Sequence, residues 1–289
     1  MKTTTFFGNE ITRLIIGDNP FNGHSYITDL VSGEEMNLYY TKEKILETLF
    51  EAESLGINAM LPLACPKMLE TLTEYYDKGG SMKIIFQPYP KEPIEENLEK
   101  MLKFKPVALY HQGTTTDYLN ETGQADVIKS NIKIYKSSGI PVGMGSHVPE
   151  TILQAETEGW GADFYTTSLY NARRNRRGEQ SGFITGKTKA NLVFYPEDRF
   201  IMYETIKKIS KPCILIKIFA GGQIFLRKPE VEHENIADLM LQEVYTNIKP
   251  IDIAAVGVFQ RDRKYLKLNT GFVSKITGSD LGFPPLQVL

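Results

Sequence analysis

The chain has very little cysteine: Cys65 and Cys213 are the only two in 289 residues. Both lie beside or within apolar runs, which argues against a disulfide scaffold or a thiolate zinc site and fits a reducing setting, the cytoplasm. An excess of charge of one sign is also missing. Lys and Arg number 33 against 35 Asp and Glu, for a formal net charge of −2, so there is neither a basic footprint for nucleic acid nor an acidic tail. No apolar run approaches the roughly 18 residues of a membrane span. Met1-Lys2-Thr3-Thr4-Thr5 lacks the apolar core of a signal peptide. Nucleic-acid and membrane partners are therefore not expected. There is no Walker loop, zincin helix, G-x-S-x-G elbow or EF-hand loop, and no spacing among His111, His147, Asp18 and Asp262 singles out a metal.

What the sequence does contain is alternation. Pro106-Val107-Ala108-Leu109-Tyr110-His111-Gln112-Gly113 is a short apolar run without helical period, entered through proline and ending in polar residues, as a strand buried on both faces would read. Similar runs recur at 14–17, 57–61, 83–86, 141–145, 163–168, 213–219 and 253–259. Between them lie helical patterns at 41–55, 67–76, 94–102, 125–136, from 149, 196–209 and 231–245, with a last one at 263–270. Thr41 is a suitable N-cap, and Ile45, Leu46, Leu49, Phe50 and Ala52 form one apolar stripe ending at Gly56. Eight strand-helix units without a composition break predict an α/β protein: a single (β/α)8 TIM barrel over 1–289, with an N-terminal β-hairpin in 1–13 turning at Gly8-Asn9.

Active sites of such barrels sit at the C-terminal ends of the strands. Of the four histidines, His24, His111 and His147 each follow a strand and His233 lies in a helix. Each is as readily structural as catalytic, but three at one mouth point to chemistry there. Lys217 stands between Ile216 and Ile218, where facing outward would bury an ammonium under the helices; it is expected to point into the barrel. There it would serve as a counter-ion, an acid/base group or an amine for Schiff-base chemistry, or else form a salt bridge to Asp18. Asp18-Asn19 follows strand one, Gln87 strand three, Gln112 strand four, Ser146 strand five and Tyr170-Asn171 strand six. Gly221-Gly222 follows strand seven. Gln260-Arg261 follows strand eight, so this pair of loops is a candidate phosphate site. The loop 171–194 holds Arg173, Arg174, Arg176, Arg177, Lys187 and Lys189 against Glu179 alone. It reads as a positive lid for an anionic ligand, or as a solvated loop or subunit contact.

The whole chain resembles an aldo/keto reductase barrel. Phe6 to Gly17 is similar to that family's opening hairpin running into its first strand, and Leu109-Tyr110-His111 to the fourth strand with its active-site histidine. Gly143-Met144-Gly145-Ser146-His147 resembles the fifth strand and Tyr170-Asn171 the end of the sixth. Phe219-Ala220-Gly221-Gly222 and Val256-Gly257 fall where the family holds cofactor phosphates. The resemblance implies a barrel with NADP as a candidate cofactor. Of the family's catalytic Asp, Tyr, Lys and His, only His111 is matched; the aspartate would fall near Leu61, and Phe86-Gln87-Pro88 replaces the lysine.

The expected function is that of a small-molecule enzyme working by acid/base chemistry on a polar, anionic carbonyl or sugar-derived substrate. His111 is the expected acid or base, His147 and His24 assist, Lys217 stabilises developing charge, and Arg173 and Arg174 hold the anion. The alternatives are an NADP-dependent oxidoreductase with a rearranged proton donor, in which Arg261, Arg263 or Lys264 grips the phosphate, and a non-catalytic ligand-binding barrel. A homo-oligomer is compatible with all three.

Overall fold

The computed structural model describes residues 1–180 and 192–278. Strands β1 (Thr3–Phe6) and β2 (Asn9–Thr12) form an antiparallel hairpin. Eight parallel strands follow: β3 (Leu14–Gly17), β4 (Ala59–Leu61), β5 (Lys83–Phe86), β6 (Ala108–His111), β7 (Val142–Ser146), β8 (Phe164–Ser168), β9 (Cys213–Ile216) and β10 (Ile253–Gly257). They pair in chain order, and β10 joins both β9 and β3 to close the ring. This is the expected (β/α)8 barrel with its N-terminal hairpin.

The helices are α1 (Gly33–Tyr39), α2 (Lys42–Ser54), α3 (Pro66–Asp77), α4 (Ile94–Leu102), α5 (Gly113–Glu121), α6 (Ala125–Lys136), α7 (Pro149–Thr157), α8 (Asp198–Lys207), α9 (His233–Asn247) and α10 (Tyr265–Gly278). None is long and apolar enough to cross a membrane among the described residues. The Thr41 hydroxyl accepts from the Lys44 amide at 3.3 Å, capping α2 as its sequence predicts, and Ile45, Leu46, Leu49 and Ala52 are buried beneath it.

Period-two alternation divides the strand side chains into two layers. Leu14, Ile16, Met60, Phe86, Leu109 and Met144 face the helices. Ile15, Leu61, Ile85, Ala108, Tyr110, Phe164 and Ile214 fill the barrel. Phe6 and Ile11 of the hairpin join that inner layer and close the floor, with the Phe6 ring 5.1 Å from Phe164. The mouth at the opposite end is left for the site.

Four expectations are corrected. The hairpin turns at Phe7-Gly8 rather than Gly8-Asn9: both have positive φ, 48° and 77°, as a two-residue turn matching the strand twist requires. β9 stops at Ile216 and β10 at Gly257, so Lys217 lies past the regular strand. The connection after β6 holds a second helix, α5, capped by the Gln112 side chain accepting from the Thr115 amide at 2.7 Å. The segment after β3 holds α1, opened by a Ser32/Glu35 capping box. In the long loop, Lys187 and Lys189 lie outside the described residues.

Candidate active site

The mouth opens into a cavity of about 420 Å³ whose lining includes Asp18, His24, Tyr26, Tyr110, His147, Thr166 and Lys217. Its central feature is a line of three side chains. Asp117, inside α5, is fully buried, and its Oδ2 lies 2.7 Å from Nδ1 of His147. Nε2 of His147 lies 2.8 Å from Nζ of Lys217. A carboxylate facing Nδ1 places the ring proton there, which leaves Nε2 as acceptor for a Lys217 N–H; the partners assign this tautomer. Burial, then the Lys217 charge, pushes the imidazole pKa below its ordinary value, so His147 rests neutral.

The surroundings hold this line in place. The Ser146 hydroxyl donates to Asp117 Oδ1 at 2.6 Å, and the His147 amide donates to the same carboxylate at 3.2 Å. At β9, alternation would turn the residue after Ile216 toward the helices. Lys217 instead adopts φ +59°, a left-handed conformation that costs a non-glycine residue of order 1 kcal/mol. This turns its ammonium to the mouth, 5.4 Å above the Tyr26 ring. The following loop is again left-handed at Ala220, Gly221 and Gly222. A Cβ on Gly221 would lie 2.5 Å from the Tyr26 ring, so this glycine lets the loop close down on Tyr26.

Around the line lie Asp18, His24, Tyr110 and Thr166. Oδ2 of Asp18 accepts from the Leu63 amide and from Asn22 Nδ2, both at 2.7 Å, yet burial raises its pKa to about 6. His24 is pushed down to about 4, by burial and then by the charges of Lys217 and Lys91. The Tyr110 hydroxyl donates to Oε1 of Gln87. Asn19 donates to the Tyr26 hydroxyl at 3.3 Å. The hydroxyl of Thr166 is buried without a partner among the described residues, in a side chain that lines the cavity. A ligand oxygen would satisfy it.

Of the residues expected from sequence, Asp18, Asn19, His24, Gln87, Gln112, Ser146, His147, Lys217, Gly221 and Gly222 all line this cavity. His111 does not, and its expected role is corrected. Tyr110 takes the inward position on β6, so His111 faces the helix layer, 2 % exposed. Asn131 Nδ2 is 3.2 Å from its Nε2, and its Nδ1 is 2.7 Å from the Thr116 hydroxyl, which donates to the Gln112 carbonyl. With both nitrogens engaged and burial lowering its pKa to about 4, it is a neutral structural histidine. Lys217 also pairs with His147, not Asp18.

The anion-binding arginines are corrected as well. Arg173 is buried and forms a fork with Glu121, at 3.0 and 2.5 Å; Arg174 pairs with Asp198. Tyr170 is buried against Phe194, and Asn171 Oδ1 caps the Arg173 amide at 2.9 Å. Gln260 bonds Glu51 and the Leu266 amide, away from the mouth. Sequence reasoning missed Asp117, Tyr26, Tyr110 and Thr166. The signal for Asp117 was the pair Gly113 and Gly145, which marks a close approach of chain segments. No three His, Cys, Asp or Glu residues are grouped to hold a metal among the described residues.

No family model matches the sequence, and no curated protein matches it. Solved structures are similar in fold. An aldo/keto reductase from Brucella melitensis has a TM-score of 0.55 at 10% identity, covering 93% of this chain and 92% of its own. A Bombyx mori aldo-keto reductase in complex with NADP has a TM-score of 0.52 at 10% identity, covering 96% and 91%. A truncated 3-deoxy-D-arabino-heptulosonate 7-phosphate synthase from Thermotoga maritima has 0.51 at 15% identity, covering 96% and 89%.

Two of the three basic residues expected to grip an NADP phosphate are paired with carboxylates. Arg261 pairs with Glu35 and Asp262, and Arg263, which lines the cavity, pairs with Glu230 and Glu234. Of the tyrosines that line the cavity, Tyr110 donates to a glutamine, and burial holds its pKa well above the ordinary value, the reverse of what a proton donor needs. At these identities the likeness shows the fold alone, a (β/α)8 barrel shared by the reductases and the synthase.

Proposed function

We propose that the protein is a small-molecule enzyme that moves a proton on a polar carbonyl compound, with Lys217 as the acid/base group. The observation that carries this reading is the line Asp117–His147–Lys217, which runs from the helix layer into the cavity. Lys217 presents its amine to the substrate. His147, oriented by Asp117, offers Nε2 to receive the Lys217 proton, and the imidazolium that forms is stabilised by the carboxylate beside Nδ1. Asp18, titrating near 6, is a second acid at the same mouth. Thr166 and Asn19 offer hydrogen bonds to substrate oxygens. An anionic substrate would meet the Lys217 ammonium, since Arg173 and Arg174 are spent on carboxylates.

The test is proton exchange. Incubated in deuterated water with glyceraldehyde, dihydroxyacetone or pyruvate, the protein should exchange hydrogen α to a carbonyl of one of them, read by NMR, and Lys217→Ala should abolish it. If ligands perturb Tyr26 or His24 resonances but no exchange occurs, the barrel binds without catalysis and the reading fails.

A further inference from the structure

We propose that Lys217 is a covalent catalyst: it forms an imine with the carbonyl carbon of its substrate, which makes the substrate class aldehydes and ketones rather than esters, amides or phosphates. This deepens the proton-transfer reading and rests on it.

The lysines of the chain differ in the company they keep. Lys249 is held 3.0 Å from Asp252, Lys211 2.7 Å from Glu156 and Lys100 2.9 Å from Glu92, as permanent cations are. For Lys217, among the described residues no carboxylate lies within ion-pair distance, and its hydrogen-bond partner is the neutral Nε2 of His147. A carboxylate would lock the amine as ammonium. An imidazole nitrogen backed by Asp117 accepts the proton and frees the lone pair, as a nucleophilic amine requires. The Tyr26 face beneath Nζ supports a cation, either the resting ammonium or the iminium that replaces it. The backbone strain at φ +59° fixes where the amine stands, and Gly221 allows the loop behind it to pack on Tyr26.

The chemistry balances without an oxidant or reductant. Lys217 Nζ gives one proton to His147 Nε2, and its lone pair forms a bond to the carbonyl carbon while the C=O π pair moves to oxygen. That oxygen takes the proton back from His147, and the second ammonium proton passes to solvent, giving a neutral carbinolamine. A further proton from the protonated Asp18 carboxyl lets the C–O bond break, water leaves and the protonated imine remains; addition of water reverses every step. Thr166, with its unpartnered hydroxyl, is placed to bond the substrate's oxygen. The iminium is an electron sink that acidifies the adjacent C–H, and this is the proton the Lys217–His147 site then handles.

Sodium cyanoborohydride reduces iminium ions to stable secondary amines. Treatment of the protein with glyceraldehyde, dihydroxyacetone or pyruvate and this reductant should give one adduct per chain, mapped to the Lys217 peptide by mass spectrometry. It should form at least about tenfold faster than labelling at exposed lysines such as Lys103, because the mouth concentrates and activates the amine. In Lys217→Arg, which keeps the charge and is checked for an unchanged melting profile, the fast adduct should vanish. Labelling spread over surface lysines, equal in the wild type and in Lys217→Arg, overturns the imine. If α-proton exchange persists under the same conditions, proton transfer stands without it. Absence of both exchange and adduct removes both readings.

Discussion

A Cβ on Gly145 would stand 3.0 Å from both the Cα and the amide nitrogen of Gly113. The end of β7 and the start of α5 therefore meet backbone to backbone, and this approach brings Asp117, one turn further along α5, to Ser146 and His147. Neither neighbour is the movable tip of a side chain, so Gly145→Ala must displace one segment by a few tenths of an ångström. We expect a stability loss of about 1–3 kcal/mol by overpacking and a loss of activity exceeding tenfold, since small misplacements are costly to catalysis. Chemical denaturation and turnover measured on the same sample separate the two effects.

Asp117→Asn keeps shape and removes the charge. The Asp117 carboxylate accepts from Ser146, from the His147 amide and from His147 Nδ1; an amide has one oxygen for these donors and favours the other tautomer of His147. The proton would then face the Lys217 ammonium. Activity should fall by about 10²–10⁴-fold with little change in substrate affinity. An NMR spectrum of ¹⁵N-labelled histidine should show the proton of His147 move from Nδ1 to Nε2; an unchanged tautomer would refute the assignment.

His111→Ala is predicted to weaken the fold and spare the chemistry. The loss removes a buried ring and strands Thr116 and the Asn131 amide, for about 2–4 kcal/mol. Its folded pKa, about 4, lies below the ordinary 6.5. The resulting contribution, about 3 kcal/mol, is fully present above pH 6.5 and is lost as pH falls toward 4, because the unfolded chain takes up the proton first. Urea titrations across this window should show a steep slope in the wild type and a shallower one in the variant. Activity at saturating substrate and neutral pH should be retained.

Asp18 acts in the opposite sense. Burial raises its pKa from the ordinary 3.8 to about 6, so the folded state binds the proton more tightly and loses stability as pH rises through that interval. Above pH 6 the buried carboxylate costs about 3 kcal/mol. Its two side-chain hydrogen bonds both end on Oδ2, and the amide oxygen introduced by Asp18→Asn would accept them equally well. The variant should be more stable than the wild type at pH 8 and equal to it near pH 4. The activity profile should lose a limb centred near pH 6; retention of that limb would assign it to another group.

Sequence and structure agree or part at a few residues. Eight strands and the helix bounds at Ile94–Leu102 and Ala125–Lys136 were readable because burial on both faces, helical period and glycine stops are local signals. Lys217 was predicted to face the mouth from the cost of burying an ammonium, and it does, but through a left-handed turn that residue types do not announce. His111 was misread because it ends a strand at the right place. Whether its ring faces the mouth or the helices depends on one step of alternation, and Tyr110 holds the inward step. Arg173 and Arg174 looked like free charge because their partners, Glu121 and Asp198, are 52 and 24 residues away.

By itself the sequence determined the architecture: apolar periodicity and burial free energy leave a closed barrel as the way to cover eight such strands, and they place the polar loop residues at one end. The tertiary structure alone decided which of those residues work together. The Asp117–His147–Lys217 line joins three segments through one glycine contact and one left-handed turn, and distances of a few ångströms between distant parts of a chain are set by packing, which no local pattern encodes.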